Sequence, residues 1–136
     1  MNAGKTFADT NIVIYAFTSD EPEKQVQTLR FLDDCQPVVS TQVLKEFSNV
    51  LLKKGNVRHA RIKEIVSEIT EVASVVNEEL TLILDSIDIQ ERYKFSFYDS
   101  LIIAAALNSQ CQTLLSEDMQ DGQIIDGRLR IVNPYR

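Results

Sequence analysis

The run Lys5-Thr6-Phe7-Ala8-Asp9-Thr10-Asn11-Ile12-Val13-Ile14-Tyr15-Ala16-Phe17 decides the fold class. Lys5 to Ala8 has the composition of a short strand, and Ile12 to Phe17 begins a helix directly after it. Asp9 stands between them, with Phe7 and Ala8 before it and Ile12, Val13 and Ile14 after it. A carboxylate is out of place in so apolar a neighbourhood. The same alternation of short strand and longer helix repeats along the chain. Pro37 to Ser40, Ala73 to Val76 and Gln112 to Leu115 read as further strands, and Leu129 to Val132 as an added edge strand before Pro134. Such alternation predicts an α/β fold with a central, mainly parallel sheet flanked by helices.

The helices between the strands carry their own punctuation. Pro22 suits the first turn of a helix running to about Asp33, and Ser40 or Thr41 caps one that ends near Lys54, where Gly55 supplies the stop. Two more helices, His59 to Val72 and Glu78 to about Tyr93, are expected to be amphipathic and packed on the surface, the second through Leu80, Ile83, Leu84 and Ile87. Ser96 to Asn108 opens with Ser-x-x-Asp and then is apolar on every side, which predicts a buried central helix.

A chain of 136 residues, 44% of them hydrophobic, suits one domain with one core, and no composition break divides 1–136. The longest apolar run, Leu101 to Leu107, falls far short of the ~20 residues that cross a bilayer. Asp9 and Asn11 interrupt the apolar start, so it does not read as a secretory signal, and a cytoplasmic location without a membrane anchor is expected. Cys35 and Cys111 lie apart with no ligand-spaced partner, which suits reduced structural thiols rather than a zinc site. A net charge of −6 argues against holding nucleic acid by bulk electrostatics, so any RNA contact must be local or metal-mediated. Lys53, Lys54, Arg58, Arg61 and Lys63 form the strong basic cluster, equally readable as a solvated helix connection and as an RNA-backbone contact.

Most acids, such as Glu78, Glu79, Asp85, Asp88 and Glu91, fall where solvated helix faces put them. Four do not. Besides Asp9, Glu46 shares a helical row with Val43 and Val50 and is expected to be partly buried. Asp99 heads the row of Ile102, Ile103 and Ala106, and Asp118 follows Leu114, Leu115 and Ser116 at a strand end. Singly, each has an ordinary use as a cap, a turn residue or a partner for a lysine. Jointly, Asp9 and Asp118 fall at the carboxyl ends of strands, where sites form in open α/β sheets, while Glu46 and Asp99 lie in early turns of helices that can point inward, and four carboxylates converging there call for a cation. Ligation by oxygen alone suits Mg²⁺ or Mn²⁺, and such ions bind phosphate and activate water for hydrolysis of a phosphodiester. The lone histidine, His59, sits in the basic segment and is not needed.

The same residues resemble the motifs of the PIN-domain family, and within it the VapC-type toxins. Phe7-Ala8-Asp9-Thr10-Asn11-Ile12 is similar to the first motif and Val43-Leu44-Lys45-Glu46-Phe47 to the second. Tyr98-Asp99-Ser100-Leu101-Ile102 is similar to the third and Leu115-Ser116-Glu117-Asp118 to the fourth. The resemblance implies a single PIN-like domain acting as a Mg²⁺- or Mn²⁺-dependent endoribonuclease, with Asp9, Glu46, Asp99 and Asp118 as catalytic metal ligands. It implies Thr10, Asn11 and Ser116 as polar support. It further implies tRNA or another structured RNA as substrate, a cognate antitoxin as partner, and a homodimer. Many relatives carry an extra acid followed by an aromatic near the fourth motif. Here Gly122 follows Asp121, which leaves Asp121 an outer-sphere ligand at most and favours a turn residue. Two other readings compete: a PIN-like RNA-processing or interaction module without activity, and a haloacid-dehalogenase-type phosphatase. The latter needs Asp-x-Asp, and Asn11 occupies the second position.

Overall fold

The computed structural model describes residues 4–136 of the chain. Its elements follow in the order β1 (Lys5–Ala8), α1 (Thr10–Phe17), α2 (Pro22–Asp33), β2 (Gln36–Ser40), α3 (Thr41–Lys54), α4 (His59–Val72) and β3 (Ser74–Val76). Then come α5 (Leu80–Tyr93), α6 (Phe97–Asn108), β4 (Thr113–Leu115), β5 (Ile124–Ile125) and β6 (Leu129–Val132). The sheet order is β3-β2-β1-β4-β6-β5, parallel throughout except where β5 pairs antiparallel with β6. The expected edge strand Leu129 to Val132 is therefore an inner strand, and β5 forms the edge. Two residues followed by the turn at Asp126 and Gly127 are too short to show any periodicity.

Local chemistry accounts for the helix boundaries. Ser40 ends β2 and caps α3 by accepting from Val43 N at 3.3 Å, and Gly55 closes α3 in the left-handed region at φ 73°, where a residue without Cβ is unstrained. In α6 every residue from Ser100 to Leu107 is buried, as its lack of a polar face predicts. This helix contacts β2 and β4 on the sheet and carries α5 against it.

The orientation of α5 departs from expectation. Leu80, Leu84 and Ile87 are more than half exposed, and the helix instead turns Leu82, Ser86 and Ile89 inward. Two rows with helical spacing compete in this segment, and the poorer in apolar residues wins because of its shape. Ser86 is fully buried and its hydroxyl donates to Leu82 O at 2.7 Å, so a small, internally satisfied side chain lets α5 approach the alanine-rich α6 closely. Burial can be tested in urea at concentrations where the chain is monomeric. Leu82→Ala should cost about 2–4 kcal/mol and Leu84→Ala less than about 0.5 kcal/mol, whereas the reverse order would restore the orientation expected from periodicity.

Candidate functional site

From β1 the chain passes outward to β2 and β3 on one side and later returns to β4 on the other. Connections leaving adjacent parallel strands in opposite directions open a crevice at their carboxyl ends. Ala8 pairs with Leu115, so Asp9 and Ser116 leave the sheet side by side at that point. Asp9 N donates to Leu115 O at 3.1 Å, and Ser116 Oγ donates to Asp9 Oδ2 at 3.0 Å. Thr10 N donates to Asp9 Oδ1 at 2.7 Å, so Asp9 also caps α1. A carboxylate with two such donors ordinarily titrates low. Asp9 instead has its pKa pushed up to about 6, chiefly by burial, with the charges of Asp99 and Glu46 adding to it.

Asp99 and Glu46 act on Asp9 through their charge, and Asp118 acts on Asp99. Asp99, half-buried in the first turn of α6, has its pKa raised by burial and by Asp118, although the Ser96 cap opposes this. Asp118 is exposed and accepts from Asn11 Nδ2 at 3.1 Å. Glu46 is exposed rather than partly buried as expected. The core side of α3 is centred on Val43, Phe47 and Leu51, and a residue one place before Phe47 stands about 100° round the helix from it. Glu46 accepts from Gln42 Nε2 at 2.9 Å, and the same buried amide donates to Tyr98 O at 3.3 Å, tying α3 to the start of α6. Gln42 went unnoticed in the sequence, although its spacing of four from Glu46 is the signal for such a bond.

Among the described residues, no three His, Cys, Asp or Glu side chains are grouped tightly enough to hold an ion. The donor chemistry nevertheless fits a hard divalent cation. Mg²⁺ usually keeps several waters and takes only one or two carboxylates, with phosphate oxygens completing its shell. Thr10 Oγ1 is buried beside Asp9 with no hydrogen-bond partner, and it supplies one more oxygen at the same place.

Other sequence candidates find structural uses. Asp121 Oδ1 accepts from Asn133 N at 2.8 Å, which ties the loop after β4 to the residue that follows β6. In the basic segment Lys54 pairs with Asp20, and Arg61 reaches Glu64 and Glu68, each at 3.1 Å. Glu78 is not simply solvated: it pairs with Lys45 at 2.8 Å and accepts from Thr41 Oγ1 at 3.2 Å, bracing the start of α3.

A family model described as the PIN domain matches residues 6–120. No match was found among curated proteins. Among solved structures, a toxin–antitoxin complex from Klebsiella pneumoniae superposes with a TM-score of 0.70 at 21% identity, covering 96% of this chain and 98% of that one. VapBC2 from Rickettsia felis, bound to a DNA fragment from its promoter, gives 0.68 at 13% identity, covering 95% and 99%. VapC20 from Mycobacterium tuberculosis, a sarcin-ricin loop cleaving toxin, gives 0.65 at 17%, covering 80% and 86%. At such identities the likeness is one of fold.

The raised pKa of Asp9 has a definite sign. Because it lies above the unfolded value, protonation favours the fold, and that stabilisation is complete below about pH 4 and lost as pH rises through about 6. Asp9→Asn keeps the shape without the charge. In EDTA at pH 7.5 it should be more stable to urea than the wild type by about 1–3 kcal/mol, with the gap closing toward pH 4. A gap that is the same at both pH values would mean that the carboxylate is not strained by its surroundings.

Proposed function

The chain belongs to the PIN-domain family, and from that premise we propose that it is a Mg²⁺- or Mn²⁺-dependent endoribonuclease, the toxin of a toxin–antitoxin pair. The observation that carries the reading is Asp9, a half-buried carboxylate with a lifted pKa at the β1/β4 crevice, within the field of two further acids. We assign the metal site to Asp9, Glu46, Asp99 and Asp118, one or two of which would bind the ion directly and the others through its waters, with Thr10 and the Ser116 hydroxyl as support. A divalent cation bound there supplies a polarised phosphodiester and a water of lowered pKa.

The chain's own residues do the rest. Thr10 N and Ser116 Oγ hold both oxygens of Asp9, making it the rigid anchor. Asn11 orients Asp118 from the first turn of α1. Gln42 donates to Oε1 of Glu46 and so sets the orientation in which that carboxylate would hold the ion or its water. No histidine is required, and His59 is exposed. Action on cellular RNA places the protein in the cytoplasm, and among the described residues no helix is long and apolar enough to cross a membrane.

The structural neighbour described as a toxin–antitoxin complex supports a protein partner. An apolar cleft of about 710 Å³ borders the sheet, with Val26, Leu29 and Val72 about half exposed along it. An apolar antitoxin segment fits this cleft, while a basic side chain compensates the carboxylates in place of the metal. The exposed row of Leu80, Leu84 and Ile87 on α5 is the surface we assign to a second copy in a homodimer.

Cleavage of a structured RNA such as tRNA, with Mg²⁺ and with EDTA, tests the activity. Asp99→Asn should remain folded and cut about 100-fold more slowly or worse, and EDTA should abolish cutting by the wild type. Full activity in both would refute metal-dependent catalysis at this site. Toxicity is separable from it: the wild type expressed alone should arrest growth and co-expression of a cognate antitoxin should restore growth, whereas Asp9→Asn should be harmless at equal soluble level.

A further inference from the structure

Three consecutive side chains of the loop after β4 are each gripped by the first third of the chain. Ser116 Oγ bonds Asp9, Asp118 accepts from Asn11, and Glu117 between them is held by Tyr15 and Lys24. Tyr15 lies four residues after Asn11 on α1, so one helix face holds two successive loop residues. The Tyr15 hydroxyl donates to Glu117 Oε1 at 2.7 Å, and Lys24 Nζ is ion-paired with Glu117 Oε2 and donates to the Tyr15 hydroxyl at 3.4 Å.

Lys24 is an unusual choice for its position. It lies in the first turn of α2, where the helix dipole disfavours a cation. It is nonetheless two-thirds withdrawn from solvent and enclosed by aromatic faces, with Nζ 4.8 Å from the Tyr15 ring centroid and 5.2 Å from that of Tyr135. Tyr135 meets Tyr15 edge to face at 5.4 Å, and its hydroxyl lies 2.7 Å from the buried Thr28 Oγ1. Every wall of this box is fixed. Its charge is spent on Glu117, whose carboxylate it holds in the ionised form.

We infer that Lys24 is a positioning residue: through Glu117, and with Tyr15, it sets the loop that presents Asp118, and so governs how tightly the carboxylate site takes a divalent cation. The inference rests on the proposed metal site. It concerns residues that touch neither the ion nor the substrate, and no family motif recognised in the sequence contains Tyr15 or Lys24.

The test measures Mn²⁺ affinity directly, from the electron paramagnetic resonance signal of free Mn²⁺, with RNA absent. Lys24→Met and Glu117→Gln should each weaken binding about tenfold, the size typical of partners that orient a ligand. Lys24→Arg, which keeps the ion pair, should recover most of it. Ile69→Val, a core substitution in α4, should lower the melting temperature comparably yet leave Mn²⁺ affinity unchanged, which separates positioning from general loosening. Wild-type affinity in folded Lys24→Met and Glu117→Gln overturns the inference while leaving the metal site intact. A wild type that binds no Mn²⁺ overturns the metal site itself, and the positioning role with it.

Discussion

A half-buried carboxylate at the carboxyl edge of a parallel sheet is the constraint on which the other features of the site depend. Parallel pairing brings β1 and β4 to an end at the same level, and the chain then places Asp9 there, where two donors serve its carboxylate. Burying charge is costly unless it is compensated. The protein leaves part of that cost standing, with the Asp9 pKa lifted to about 6, chiefly by burial and in smaller part by the charges of Asp99 and Glu46. A fold selected for stability alone would have put an apolar residue or a serine at this position. An uncompensated carboxylate is what a cation site looks like from the protein's side.

The remaining polar groups are arranged to keep that charge pattern in shape. Asn11 holds Asp118, Gln42 holds Glu46 and joins α3 to α6, and the Tyr15–Lys24–Glu117 box holds the loop between Ser116 and Asp118. Each acid arrives on a different element, so no single segment could make the site. The helices α1, α3 and α6 are capped by Asp9, Ser40 and Ser96, which fixes the helix starts near which Asp9, Glu46 and Asp99 lie.

Much of this was legible in the sequence. Strands such as Lys5–Ala8 and the all-round apolar α6 have patterns with few alternatives, and the acids next to them stood out because their neighbours were wrong for a solvated charge. What failed were cases where two patterns were equally periodic or too short to be periodic. In α5 both faces carried apolar rows, and only the fit of Ser86 against α6 chose between them. Glu46 shared a row with Val43 and Val50, yet the core side of α3 is set by Phe47 and Leu51, which leaves it exposed. Contacts across nearly the whole chain, such as Tyr15 with Glu117, leave no local signature at all.

The central claim is that Asp9 carries charge which the protein strains and a divalent cation relieves. The most direct measurement is a carbon-13 nuclear magnetic resonance titration of the Asp9 side-chain carboxyl, in EDTA and again in millimolar Mg²⁺. A midpoint near pH 6 without metal that falls below about 4 with Mg²⁺ is the expected result, because an adjacent cation stabilises the ionised form. A midpoint near 4 in both conditions, or one near 6 that Mg²⁺ does not move, would contradict it.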